Sequence, residues 1–122
     1  KNVISWGDNY IDDLKDVTII IFSKEKQVSS YKNVIYCNSM ENFLEICKEK
    51  NIENVFVSGG AHINNLFLEN NMVDEIIINY NPYVLTNGIN LFNGNDVEKS
   101  LVLNKVVHEK EDIVQIWYKV KK

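Results

Sequence analysis

Most of the features that announce a function are scarce or missing in this sequence. Its 122 residues include one proline, two cysteines, two histidines and five glycines. No run of about 18 apolar residues exists and no signal peptide is visible, so no membrane partner is expected and the chain is expected in the cytoplasm. Cys37 and Cys47 lie in apolar patterns with no CxxC spacing, as reduced core thiols do, and no metal site is expected. Lysine and arginine number 13 against 17 acids, a net charge of −4. No basic cluster offsets that charge, which excludes a nucleic-acid surface. There is no GxSxG elbow, no HExxH, and no Cys/His set with metal spacing. Internal repeats, low-complexity tracts and linkers are also missing. The residues as they stand contain no catalytic constellation.

What remains is an ordinary globular composition, 45% apolar and 25% charged, sufficient for a single domain with a real core over residues 1–122. The stretch around which the rest is organised is residues 54–67, Asn-Val-Phe-Val-Ser-Gly-Gly-Ala-His-Ile-Asn-Asn-Leu-Phe. A short apolar run, read as a strand over 54–58, stops at Gly59 and Gly60, and a helical pattern begins at once. Ile63, Leu66 and Phe67 fall at i, i+3 and i+4, one apolar stripe on a helix. The paired glycines can adopt backbone conformations closed to other residues and let another molecule approach the main chain. The first helical N–H groups beyond them have no intrahelical partner and sit at the positive end of the dipole, a natural place for an anion. A helix terminus gives an anion about 0.3–1 kcal/mol, or ~2 kcal/mol when partly buried. Micromolar binding needs about 8 kcal/mol. Ser58, Gly59, Gly60, Ala61 and His62 can therefore orient a phosphate, but other contacts must hold the rest of the ligand. The bland reading of the same corner is a tight strand-to-helix connection, with His62 a solvated surface residue.

Along the chain, residues 2–6 read as a strand stopped by Gly7-Asp8-Asn9, and 10–15 as one or two helical turns. Residues 17–22 are β-branched and continuously apolar, a strand covered on both faces. Ser23 and Lys24 follow at its carboxyl end, with Lys26 close by. Ligands of open α/β sheets collect at such ends, and a hydroxyl beside ammonium groups suits a phosphate; an exposed polar loop is the alternative. Residues 33–37 form another short strand. Ser39 caps a helix whose inner face is Met40, Phe43, Leu44 and Cys47. The second helix, over 61–69, ends at Asn70-Asn71, since asparagine tolerates a left-handed C-cap. Residues 72–80 resume as a strand, with Ile76, Ile77 and Ile78 too apolar for a solvent face. Strand and helix thus alternate, the signature of a mainly parallel sheet between helices. Pro82 then breaks the ladder, and residues 101–108 and 113–120 form an antiparallel hairpin across the charged turn 109–112. Val114, Ile116, Tyr118 and Val120 line one side of its last strand, Gln115 and Lys119 the other. Trp6 and Trp117 are expected in the core, and His108 is expected to be structural.

The order strand, Ser-Gly-Gly-Ala, helix, then Leu-Glu-Asn-Asn-Met-Val-Asp-Glu-Ile, then Asn-Pro-Tyr-Val-Leu-Thr-Asn-Gly-Ile-Asn-Leu-Phe closely resembles the dihydrofolate reductase-like superfamily. Within it, Val73-Asp74-Glu75, Pro82 and the stretch 88–92 are most similar to the C-terminal reductase domain of riboflavin biosynthesis. The resemblance implies a three-layer αβα fold, with a mostly parallel central sheet of eight strands and a C-terminal antiparallel hairpin. It also implies NADPH bound across the carboxyl edge. Gly59, Gly60, Ala61 and His62 would meet the pyrophosphate, Ser23 and Lys24 the adenosine 2′-phosphate, and Gly7 the phosphates. The implied chemistry is hydride transfer to a small-molecule substrate, a ribosylaminopyrimidine or a pterin, in a possible homodimer. Asp8 stands where the family's turn continues with arginine, and Thr86 where it has glycine. Nothing corresponds to the family's first strand, mobile loop and first long helix, so the N-terminal portion is expected to be missing, and the catalytic residues with it. The second expectation is a nucleotide-binding or interaction domain of the same fold that has lost turnover.

Overall fold

Residues 17–25 and 31–122 are described by the computed structural model. The strand at 2–6 with Trp6, the turn Gly7-Asp8-Asn9, the helical turns at 10–15 and Lys26 lie outside the described residues. The chain divides into two units, Lys1–Phe56 and Val57–Lys122.

In the first unit, β-branched residues build β1 (Ile19–Phe22) and β2 (Val34–Cys37), which pair in parallel from Ile19↔Val34 to Phe22↔Cys37. The ladder continues one bond at each end, Ile19 N–H to the Asn33 carbonyl and Ser23 N–H to the Cys37 carbonyl, both 2.8 Å. No residue of β1 is exposed, in line with a strand covered on both faces. Ile21 and Val34 are buried, with Ile19, Tyr31 and Tyr36 packed against them. Helix α1 (Met40–Glu49) starts at Ser39, whose extended backbone lets Oγ accept from the Asn42 N–H at 3.1 Å. It buries Phe43 and Ile46, and the Phe22 and Phe43 rings lie 5.6 Å apart. Leu44, expected inward, is 44% exposed. The stripe is centred on Phe43, Ile46 and Cys47, and Leu44 falls on its shoulder.

In the second unit, α2 (Ala61–Glu69) precedes β3 (Glu75–Tyr80), β4 (Leu101–His108) and β5 (Val114–Val120). The strands form one antiparallel sheet in the order β3-β5-β4. Paired residues share a face. Val114, Ile116, Tyr118 and Val120 therefore lie with Tyr80, Ile78 and Ile76 of β3 and with His108, Val106, Leu103 and Leu101 of β4. On the opposite face Trp117 sits between Ile77 and Lys105, whose Nζ is 4.0 Å from the Trp117 ring centre. Trp117 Nε1 donates to Gln115 Oε1 at 2.6 Å and Gln115 Nε2 donates to Asn79 Oδ1 at 2.9 Å. Trp117 is thus half-buried on a polar face under a lysine, not in a core. The turn between β4 and β5 places Glu111 and Asp112 at positive φ, 60° and 64°. Two left-handed residues match the twist of a two-residue hairpin loop.

The α/β class is as expected, and so is the terminal hairpin. The mostly parallel sheet is found only in part: β1-β2 is parallel, whereas the three-stranded sheet is antiparallel throughout. Residues 54–58 belong to no strand, with Val55, Phe56 and Val57 exposed. A strand exists only through its ladder, and none of the described strands pairs with this segment. β3 alternates in burial instead of being covered throughout, and Ile77 is 38% exposed. Among the described residues, no helix is long and apolar enough to cross a membrane.

Candidate functional site: an uncapped diglycine corner

Gly59 has φ +99°, a conformation that glycine adopts without strain and side chains rarely adopt, and the Gly59–Gly60 peptide bond is cis. Gly60 is the N-cap of α2, with φ −69° and no side-chain cap. The contrast with α1 is direct: there Ser39 satisfies a first-turn N–H, whereas no side chain does so at α2. The first turn of α2 holds no acid, so nothing on the helix cancels the positive end of its dipole. A Cβ built on Gly60 meets no protein atom within 4 Å. The main chain is open on that side. His62 is exposed in the same turn and Ser58 is exposed just before it.

The corner is held by the segment that follows β3. The Asn93 N–H donates to the Ala61 carbonyl at 3.1 Å, and Asn64 Nδ2 donates to the Leu91 carbonyl at 2.9 Å. Asn65, buried at 6% exposure, donates through Nδ2 to Glu69 Oε2 and to the Asn95 carbonyl, both at 3.0 Å. The inner face of α2 is therefore Asn65, Phe67 and Leu68, turned from the expected stripe of Ile63, Leu66 and Phe67, of which only Phe67 is buried. A polar residue facing inward is invisible to a hydrophobic period. The one sequence signal for it is Glu69 four residues on.

The structure brings Ser58, Gly59, Gly60, Ala61 and His62 into one corner of the second unit. Ser23 and Lys24 follow β1 in the first unit. Ser23 Oγ accepts from the Glu25 N–H at 3.3 Å, an ST turn, and Lys24 is exposed. Gly7 lies outside the described residues. His108 is exposed on β4. Cys37 and Cys47 are free thiols; burial pushes Cys37 up to about 11, helped by the nearby Cys47 and opposed by the Ser39 backbone N–H. Burial raises Cys47 as well. Neither is a ready nucleophile. Among the described residues, no group of three His, Cys, Asp or Glu side chains can hold a metal ion. The sequence contains no arginine, so any phosphate on this chain is met by backbone amides, hydroxyls, histidine or lysine and not by a bidentate fork.

The order of a parallel strand pair, a helix, a glycine-led helix and an antiparallel sheet is a fold this chain shares with other proteins. Several solved structures carry it. A protein of Shewanella sp. PV-4 described as a riboflavin biosynthesis protein superposes with a TM-score of 0.72 at 19% identity, over 84% of this chain and 60% of that one. Acinetobacter baumannii RibD gives 0.66 at 17% identity, over 93% of this chain and 33% of that one. A pyrimidine reductase-like protein of Corynebacterium diphtheriae gives 0.64 at 16%, over 74% and 40%. The chain thus spans 60% or less of the length of these structures. No curated protein sequence matches it. Residues 9–115 match the family model of the RibD C-terminal domain, and the chain belongs to that family.

Proposed function

We propose that the chain is the reductase domain of a riboflavin-type enzyme that uses NADPH, with a ribosylaminopyrimidine as the preferred substrate and a pterin as the second. The observation that carries this reading is the uncapped, side-chain-free corner at Gly59-Gly60 within a match to the RibD C-terminal domain. The residues present fit a dinucleotide there: a Cβ would fill the space over Gly60, and the first-turn N–H groups carry no competing cap. Gly59, Gly60 and Ala61 would present main chain to the pyrophosphate, and Ser58 and His62 are exposed beside them as hydrogen-bonding groups. When bound, the nicotinamide supplies the hydride. The chain's own part is to bind and orient the phosphates; none of its described residues stands out as a proton donor.

A second reading, a nucleotide-binding domain without turnover, is favoured by Asp8, which places a negative charge where the family's turn has arginine, in a chain that has no arginine at all. Thermal unfolding with and without NADPH, paired with NADPH absorbance in the presence of candidate pyrimidine and pterin substrates, separates the two. A ligand at 100 times its Kd stabilises the folded state by about 2.7 kcal/mol, several degrees in Tm for a domain of this size. Protection with substrate-dependent loss of absorbance is the expected result. Protection without turnover leaves the binder, and no protection removes both.

A further inference from the structure

Among the described residues Asn65 is the one buried polar side chain, and such an amide is costly unless its bonds are made. Here they are: Glu69 and the Asn95 carbonyl accept from Nδ2, and Asn95 Nδ2 donates back to Glu69 Oε1 at 3.4 Å. Gly94 lies so close to this amide that a Cβ there would be 2.7 Å from Asn65 Nδ2 and 3.2 Å from Cγ. One residue earlier on α2, Asn64 faces two ways. Its Nδ2 donates to the Leu91 carbonyl at 2.9 Å. The same amide is the nearest group to Gly59, where a Cβ would stand 3.7 Å from Nδ2 and 3.9 Å from Oδ1. The Asn93 N–H closes the arrangement on the Ala61 carbonyl. Segment 91–95 is therefore strapped to the first turn and the middle of α2 by two adjacent asparagines, directly behind the glycine corner.

We propose that Asn64, backed by Asn65 and Gly94, is a positioning residue for that corner. It holds the left-handed Gly59 and the uncapped first turn in the one arrangement that suits a phosphate. The corner has no cap of its own to do this. Asn64 acts through Gly59 and through the strap, without contact to the cofactor. The inference rests on the reading of the corner as a dinucleotide site.

The test uses the full chain and two probes, NADPH and inorganic pyrophosphate, with affinity by calorimetry and stability by thermal unfolding. Asn64→Ala gains helix propensity but loses the bond to the Leu91 carbonyl, two effects of similar size, so its unfolding midpoint is expected to move by only a few degrees. Its affinity for both probes is expected to fall about 10-fold, the scale of one lost oriented hydrogen bond. Asn64→Gln keeps an amide donor and is expected to recover part of the loss. If the midpoint of Asn64→Ala does drop, affinity measured well below that midpoint still decides, since only folded protein binds. Wild-type affinity in Asn64→Ala, alongside lost affinity in Gly60→Val, overturns the strap while the dinucleotide reading stands. A wild-type chain that binds neither probe overturns both.

Discussion

At the scale of single residues, asparagine does much of the joining. Asn71 and Asn51 take left-handed backbone at the two helix ends, with φ 58° and 54°. Asn64, Asn65 and Asn95 tie α2 to the segment after β3. The two glycines of the corner differ in what they tolerate. Gly59, at φ +99°, resists any side chain, and Gly59→Ala is expected to cost about 1–2 kcal/mol of stability. Gly60, at φ −69° with open space where its Cβ would be, accepts one. Gly60→Val is therefore expected to fold as the parent does and to lose NADPH affinity about 100-fold, a difference of about 2.7 kcal/mol. Urea titrations read the first variant and fluorescence titration with NADPH the second. Normal NADPH binding by Gly60→Val would show that the phosphates lie elsewhere.

At the scale of elements, both helices stop in the same way. In α1 the Ile52 N–H reaches the Cys47 carbonyl at 2.8 Å and the Asn51 N–H reaches Lys48 at 3.3 Å. In α2 the Met72 N–H reaches Phe67 at 2.9 Å and the Asn71 N–H reaches Leu68 at 3.1 Å. Each is a Schellman motif closed by an asparagine in the left-handed region. Asn71→Ala is expected to destabilise the protein by about 1 kcal/mol and Asn71→Gly to change it by only a few tenths, measured by chemical denaturation. Equal effects of the two would mean that the bond from Lys99 to the Asn71 side chain, 3.0 Å long, matters more than the backbone conformation. The exposed ion pair between Lys122 and Asp74, 2.6 Å apart, contributes little by comparison.

At the scale of the whole molecule, the buried thiol of Cys37 makes stability sensitive to alkaline pH. Cys37 is raised from 9.0 to about 11 in the fold, mainly by burial. Below pH 9 both folded and unfolded chains keep the proton. Between 9 and about 11 the unfolded chain releases it first, so the stabilising preference for the neutral thiol is lost as pH rises through that window. Denaturation midpoints are expected to fall less steeply over that range in Cys37→Ala than in the parent. Parallel slopes would place the titration in other groups. The shift also makes Cys37 slow toward alkylating reagents below pH 9 in the folded state.

Local chemistry alone was enough to locate α1 with its Ser39 cap, the short strands β1 and β2, the helix opened by the diglycine, its asparagine end and the closing hairpin. The helix caps and ends depend on contacts only a few residues apart, and the strands show as short runs of β-branched and apolar residues. The family, too, was legible, because the spacing from Ser58 to Phe92 is a linear pattern. Tertiary structure decided what local pattern does not encode. It left residues 54–58 without a ladder to any described strand, set three strands antiparallel, turned α2 to bury Asn65, and placed Trp117 under Lys105. For Asn65 and Trp117 the deciding partners, Asn95, Gly94 and Lys105, are 12 or more residues away along the chain. Hydrophobic period ranks side chains by their own polarity, whereas burial is settled by whether a distant group arrives to satisfy them.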